Sequence, residues 1–292
     1  MKNKKNYVAT LVCLLLISSN VTASPLLPAL TSPPTNKALP GKIIWADIFT
    51  ANVEQTISFY TEMFGWTVEE FESEGNKYHF FINNGKPVAG IVPQLSVSNK
   101  SNNAVWINHI STPDISEAAN KASEQGAKVL FPPTLFGSRG IDSIISDPQG
   151  ALIGMLESSS GDPVDTQAVL GDWVWAQLFS SDLEKTAEFY TSVFGYELEQ
   201  ASHIDNKDTY MLISNNKARA GLAQLPADVT QRSRWVGFVS VDEINTVLVK
   251  AKEMGAKIIF SPNKDVFNGR IAIIADTNGA LIGLLSKTDS EK

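Results

Sequence analysis

At 292 residues the chain is long enough for about two domains, and with 43% hydrophobic and 19% charged residues it is ordinary globular material whose core needs no disulfide staples. Against 31 Asp plus Glu stand 24 Lys plus Arg, a formal net charge of −7, and no basic run follows the first five residues. That balance excludes a nucleic-acid binder.

Lys2, Lys4 and Lys5 precede an apolar run from Tyr7 to Ile17, and Ser18-Ser19-Asn20 leads into the small-residue pattern Val21-Thr22-Ala23. This is the layout of an export signal cleaved after Ala23, and the run is far below the roughly 20 apolar residues that span a bilayer. The sequence therefore predicts a secreted or periplasmic protein with no stable membrane anchor. Cys13, the only cysteine, lies in that run, so the mature chain has no thiol for a disulfide, a metal site or a nucleophile. Pro25, Pro28, Pro33, Pro34 and Pro40 mark residues 24–42 as an extended, polyproline-like linker, read as a tether.

Order is predicted to begin near Ile43. Residues 43–49 alternate and are rich in β-formers, Asn52 fits a helix N-cap, and Gly65 stops the amphipathic helix that ends at Phe64. Strand-like runs follow at 66–71, 77–82 and 88–95, the last two separated by the turn Asn83-Asn84-Gly85. The pattern restarts at 105–111. Asp114 and Glu117 resemble a capping box, Gly126 ends the second helix, and strands near 129–131, 141–146 and 151–157 complete the unit. Each half is βαβββ.

The whole arrangement then repeats. Trp45-Ala46-Asp47-Ile48-Phe49 returns as Trp175-Ala176-Gln177-Leu178-Phe179, and Phe59-Tyr60-Thr61 with Phe64-Gly65 returns as Phe189-Tyr190-Thr191 with Phe194-Gly195. Asp147-Pro148-Gln149-Gly150-Ala151-Leu152-Ile153-Gly154 returns as Asp276-Thr277-Asn278-Gly279-Ala280-Leu281-Ile282-Gly283. The expected organisation is module 1 over 43–157, a linker over 158–171, module 2 over 172–286 and a tail over 287–292.

Four βαβββ units, with FYxxxFG closing each module's first helix and a D-x-x-G-A-L-I-G run entering its last strand, resemble the vicinal oxygen chelate superfamily of glyoxalases, bleomycin-resistance proteins and extradiol dioxygenases. The closest likeness is to tandem proteins related to lactoylglutathione lyase. The resemblance implies an α+β fold in which paired units curl their strands into an open cup with helices outside. Metal-using members place a His on a unit's first strand and a Glu on its last, because a divalent metal with open positions can hold two vicinal substrate oxygens.

Carried onto this chain, the first-strand His positions fall at Trp45 and Trp175, and the last-strand Glu positions at Gly154 and Gly283. Strand parity puts Ile44, Ala46 and Ile48 on the helix side and leaves Trp45 and Asp47 for the cup; in module 2 it leaves Trp175 and Gln177. On the first strand of the second unit the counterpart is Ile107 or Trp106, and in module 2 Val236 or Trp235. No metal is predicted from this set, and a divalent cation belongs only to an alternative reading with unusual ligands such as Asp47, His79, His109 or Glu157.

The leading expectation is instead a metal-free binder of a small apolar or aromatic molecule. Trp45, Trp106, Trp175 and Trp235 would form apolar cup floors, although tryptophans at such positions serve equally well as core. Asp47 and Gln177 would contribute polar contacts, and Arg139 and Arg270 would clamp a carboxylate, unless each merely anchors its own loop. Asp47 and His109 are the only candidates for catalytic acid or base. His109 matches Phe238 and His79 matches Tyr210 in the repeat, so neither imidazole is duplicated. A monomer is expected, with the two modules pairing within one chain.

Overall fold

β-Branched and aromatic residues at alternating positions, broken by Asn-Gly and Gly-led turns, give two eight-stranded mixed sheets in a computed structural model that describes residues 27–73, 76–94, 104–204, 207–225 and 232–287. The expected export signal lies outside the described residues, and no helix among them is long and apolar enough to cross a membrane. Module 1 comprises β1 (Ile43–Thr50), α1 (Val53–Phe64), β2 (Thr67–Ser73), β3 (Asn76–Asn83) and β4 (Lys86–Pro93), then β5 (Val105–Ser111), α2 (Ile115–Glu124), β6 (Lys128–Leu135), β7 (Gly140–Ser146) and β8 (Leu152–Ser158). Module 2 repeats this as β9 (Trp173–Ser180), α3 (Leu183–Phe194), β10 (Glu197–Ile204), β11 (Lys207–Ser214) and β12 (Lys217–Gln224), then β13 (Arg234–Val241), α4 (Ile244–Glu253), β14 (Lys257–Phe260), β15 (Ile271–Ala275) and β16 (Leu281–Ser286).

The strand order is β2-β3-β4-β1-β5-β8-β7-β6 in the first sheet and β10-β11-β12-β9-β13-β16-β15-β14 in the second. In each, the two units join through an antiparallel pair of first strands, β1 with β5 and β9 with β13. Gly65 and Gly195 end α1 and α3 in the left-handed conformation, as Gly after an FYxxxF helix should. Asp114 caps α2 by accepting the Glu117 N–H. Asn52 does not cap α1: its side chain donates instead to Asn278 of the other module.

The helices lie on the outer face of each cup, and through that face the modules meet. One composite core joins the first unit of module 1 to the second unit of module 2, with Phe59, Tyr60, Met63 and Trp66 packed among Leu248, Ala251, Ile274 and Ile282. Its pseudo-symmetric counterpart joins α2 and β8 to α3 and β9. Two buried bridges tie them: Tyr60 donates to Asp276 and accepts the indole N–H of Trp106, while Tyr190 donates to Asp147 and accepts that of Trp235.

Residues 27–42 are no free tether. Thr31 and Thr35 hydrogen-bond Ser160, Gly161 and Asp162 of the inter-module linker, and Asp162 takes the Leu39 N–H and the Ser111 hydroxyl. Hydroxyls and free backbone groups between the prolines supply the partners that composition alone did not reveal. The segment then crosses to module 2, where the Tyr196 hydroxyl bonds the Gly41 carbonyl and Ser214 bonds that of Pro40. The linker does the reverse: Trp66 bonds the Gly171 carbonyl and Asn83 bonds Leu170 and Asp172. Gly41 and Gly171 sit at φ +80° and +85°, where a Cβ would lie 2.8 Å from Tyr196 and 2.9 Å from Asn83, so both crossings need glycine.

Candidate functional site

Inside the cup of module 1, one row of side chains runs across four strands: Trp45 on β1 opposes His109 on β5, His109 lies beside Gly154 on β8, and Gly154 opposes Ile144 on β7. Asp47, two residues on from Trp45, and Asp142, two residues before Ile144, flank this row. Their carboxylates turn towards His109, whose Nε2 lies 3.6 Å from Asp47 Oδ2 and 3.3 Å from Asp142 Oδ2. All three donor atoms lie within 4.8 Å of one another.

Glycines make this approach possible. A Cβ on Gly90 would sit 2.0 Å from Asp47 Oδ1, and one on Gly154 would sit 2.2 Å from the His109 ring. The two bare backbones are cradles over which the Asp47 and His109 side chains lie flat. A Glu at 154, where the superfamily resemblance would place one, cannot coexist with His109 in this position.

Trp45 fixes Asp47 through an indole N–H to Oδ1 at 2.9 Å, and the Arg139 guanidinium stacks 4.2 Å above the Trp45 ring. Arg139 is 3% exposed, and its Nε and Nη1 have no hydrogen-bond partner among the described residues. Burial pulls its pKa down to about 10, against the pull of Asp47 and Asp142 in the other direction. Burial raises the Asp47 pKa, an effect that His109 opposes and Asp142 reinforces. Burial alone would lower His109, but Asp142 and then Asp47 outweigh it and hold the imidazole above its usual pKa. With His109 protonated, the two carboxylates and two cations balance; loss of that proton leaves one negative charge. The His side chain is 1% exposed, while those of Asp47 and Asp142 are 17% and 15% exposed, so a ligand meets the carboxylates first. Leu27 and Leu30 pack against the Trp45–Phe80 side of the cup.

The same positions in module 2 carry no such set. Gln177 replaces Asp47, Phe238 replaces His109, and the register that opposes Asp142 to Leu156 opposes Ile271 to Leu285. Gly221 and Gly283 cradle Gln177 and Phe238 in the same manner. Trp175 bonds Gln177 at 3.3 Å, and Val236, Phe238 and Ile273 with Trp175, Phe260 and Ile271 make an apolar bowl.

Four expectations change. Trp106 and Trp235 lie on the opposite face of their strands, buried against Tyr60 and Tyr190, and line neither cup; Ile107 and Val236 have the cup parity. Ile44 packs with Trp45 rather than with the helix, because a bulge between Ile43 and Trp45 breaks the alternation. Arg270 is not the counterpart of Arg139: it stands opposite Ser286 as Ile141 stands opposite Glu157, and its Nη1 bonds the Ser286 carbonyl. His79 pairs with Glu70, and Glu157 accepts from the Ile115 N–H, so neither joins the cluster. Asp142, absent from every candidate set drawn from sequence, completes it. The available signal was a lone acid at the apolar parity of a closing strand, two residues from a position facing Gly154.

The description "Glyoxalase/Bleomycin resistance protein/Dioxygenase superfamily" belongs to the family model that matches residues 42–155 and 173–284, and the chain belongs to that superfamily. It is 25% identical over 243 residues to "Putative glyoxylase CFP32" of Mycobacterium tuberculosis, covering 82% of this chain and 93% of that protein. It is 24% identical over 253 residues to the anthracycline biosynthesis protein DauV of Streptomyces sp. strain C5, covering 82% and 91%. Among solved structures it is similar to the Mn(II)-bound glyoxalase of Novosphingobium aromaticivorans, with 14% identity, a TM-score of 0.56 and coverage of 85% and 83%. Homoprotocatechuate 2,3-dioxygenase of Brevibacterium fuscum has 14% identity, a TM-score of 0.57 and coverage of 91% and 84%. Those two likenesses are likenesses of fold.

Proposed function

We propose that this is an exported enzyme acting on a small oxygen-bearing molecule in the cup of module 1, where Asp47, His109 and Asp142 hold a divalent metal. The observation that carries this reading is the convergence of one imidazole and two carboxylates from three strands. Separations of 3.3 and 3.6 Å are longer than charge-assisted hydrogen bonds of about 2.7–2.9 Å and close to the spacing of neighbouring ligands about 2.1 Å from one cation. The donor set of nitrogen and hard oxygen suits Mn(II), Fe(II) or Zn(II). When bound, such a cation supplies Lewis acidity towards vicinal substrate oxygens. Arg139 offers an anionic substrate oxygen the N–H groups of Nε and Nη1, which have no partner among the described residues. Trp45 orients Asp47 and gives the ligand an aromatic wall, and Leu27 and Leu30 restrict water on one side of the cup. The relatives named "Putative glyoxylase CFP32" and anthracycline biosynthesis protein DauV support small-molecule chemistry.

The apolar bowl of module 2 favours a second role there: metal-free binding of an apolar or aromatic molecule over Trp175 and Phe238. The chain works as a monomer in this proposal, since each module already buries its helix face against the other.

Mn(II) titration of the metal-stripped full chain, followed by calorimetry and electron paramagnetic resonance, tests the reading. One Mn(II) per chain is expected, lost in Asp142→Asn. Absence of binding, or binding indifferent to Asp142→Asn, would return module 1 to the metal-free class.

A further inference from the structure

The seams of the two cups suggest a second site. β1 pairs with β4 only from Asp47 onward, and β9 with β12 only from Gln177 onward, so the first halves of β1 and β9 are open on that side. Both open halves line a cavity of about 480 Å³ at the boundary between the modules. That volume lies within the roughly 300–1,000 Å³ of small-molecule sites, which favour domain interfaces. Its walls are largely flat and apolar, with Pro87, Val88, Trp173, Val174 and Trp175 among the lining residues.

Two buried donors on this lining lack partners among the described residues. Arg219, with its side chain 6% exposed, uses Nη1 on Asp165 and leaves Nε unpaired. Asn108, 2% exposed, leaves Nδ2 unpaired. An unpaired buried donor is destabilising, and a ligand acceptor would offset that penalty. Charge points the same way. Asp165 is met by Lys42 at 3.0 Å, Lys217 at 2.7 Å and Arg219 at 2.8 Å, so this network carries two uncompensated positive charges. Asp172, the other lining acid, accepts from Asn83 and the Val169 N–H, so the four lining charges balance and Lys217, off the lining but bonded to Asp165, leaves the surroundings with one positive charge.

We infer that this inter-module cavity binds a flat apolar molecule bearing a carboxylate, at a site between the two cups that shares Trp45 and Trp175 with them. The carboxylate meets Arg219 and Asn108, and the apolar body lies against Trp173 and Trp175. The inference stands independently of the metal reading.

Calorimetric titration of the full chain with 2-naphthoate tests it. Saturable binding of one molecule is expected, weakened about tenfold or more by Arg219→Met and by Asn108→Leu, the loss of a charge-assisted or a buried hydrogen bond. Ala218→Trp, an exposed residue on the lining, should block binding by bulk while leaving both buried donors in place, and it decides the matter if either donor variant fails to fold. The cup variants Asp142→Asn and Ile273→Val, at residues off the cavity lining, should leave the affinity within about twofold. No saturable binding, or binding abolished by the cup variants and indifferent to Arg219→Met and Ala218→Trp, overturns the inference.

Discussion

A Cβ on Gly154 would overlap the His109 ring at 2.2 Å, with backbone on one side and a buried imidazole on the other. Gly154→Ala therefore has to push His109 off the point where its Nε2 meets Asp47 and Asp142. Mn(II) affinity should fall by at least about tenfold, as it does when groups that orient metal ligands are lost, while the fold persists. Calorimetry beside a thermal melt separates the two effects. Protons compete for the same nitrogen. His109 has its pKa raised by its two acids, so in the metal-free protein its ionic contribution to stability is complete below the unfolded value near 6.5 and is lost as pH rises through the higher folded value. Mn(II) needs the neutral ring, so its affinity should strengthen over that same rise and binding should release a proton. An affinity flat from pH 6 to pH 8 would argue against ligation by His109. Asp47 and His109 were legible in sequence as polar residues of cup parity that module 2 does not repeat. Asp142 was hidden because β7 could be recognised as a strand while its register against β8 could not, and register alone turns that acid towards His109.

Between elements, the Tyr–Asp bridges join each turn before a last strand to a helix of the other module. Asp147 accepts the backbone N–H groups of Gln149 and Ala151 in its own turn and the Tyr190 hydroxyl from across the boundary. The turn role follows from the sequence; the bridge does not, because nothing local reports the other module. Burial dominates over these donors and lifts the Asp147 pKa to about 6. An acid raised on folding favours the native state below its unfolded pKa and loses that contribution as pH climbs through the folded one. Stability should therefore fall from about pH 4 to pH 6 through this group. Asp147→Asn, which keeps an oxygen for the two backbone N–H groups but turns an NH2 towards the Tyr190 hydroxyl, should flatten that slope while losing the bridge to α3. Denaturant melts across this range check it. Trp106→Ala should cost about 3–5 kcal/mol with no effect on Mn(II) affinity, since this indole is core.

At the scale of the whole molecule, the repeat and its FYxxxFG and last-strand signatures were enough to predict both sheets and all four helices. The face through which the modules join was not legible, because an amphipathic helix records that one side is buried and not against what. The two composite cores each draw on both modules, so the chain should unfold in one cooperative transition. A fragment beginning at residue 172 should fail to fold alone, having left half of each core behind. Two separate calorimetric transitions in the full chain would contradict this.

The reciprocal crossings at Gly41 and Gly171 bear on how such a duplicated protein can diverge. Each copy begins its first strand only after being gripped by its twin, so neither can be discarded, exchanged or allowed to decay as a unit. Selection is then free to erase chemistry from one bowl while conserving its outer wall. Loss of ligands from one half becomes a path to specialisation rather than to ruin.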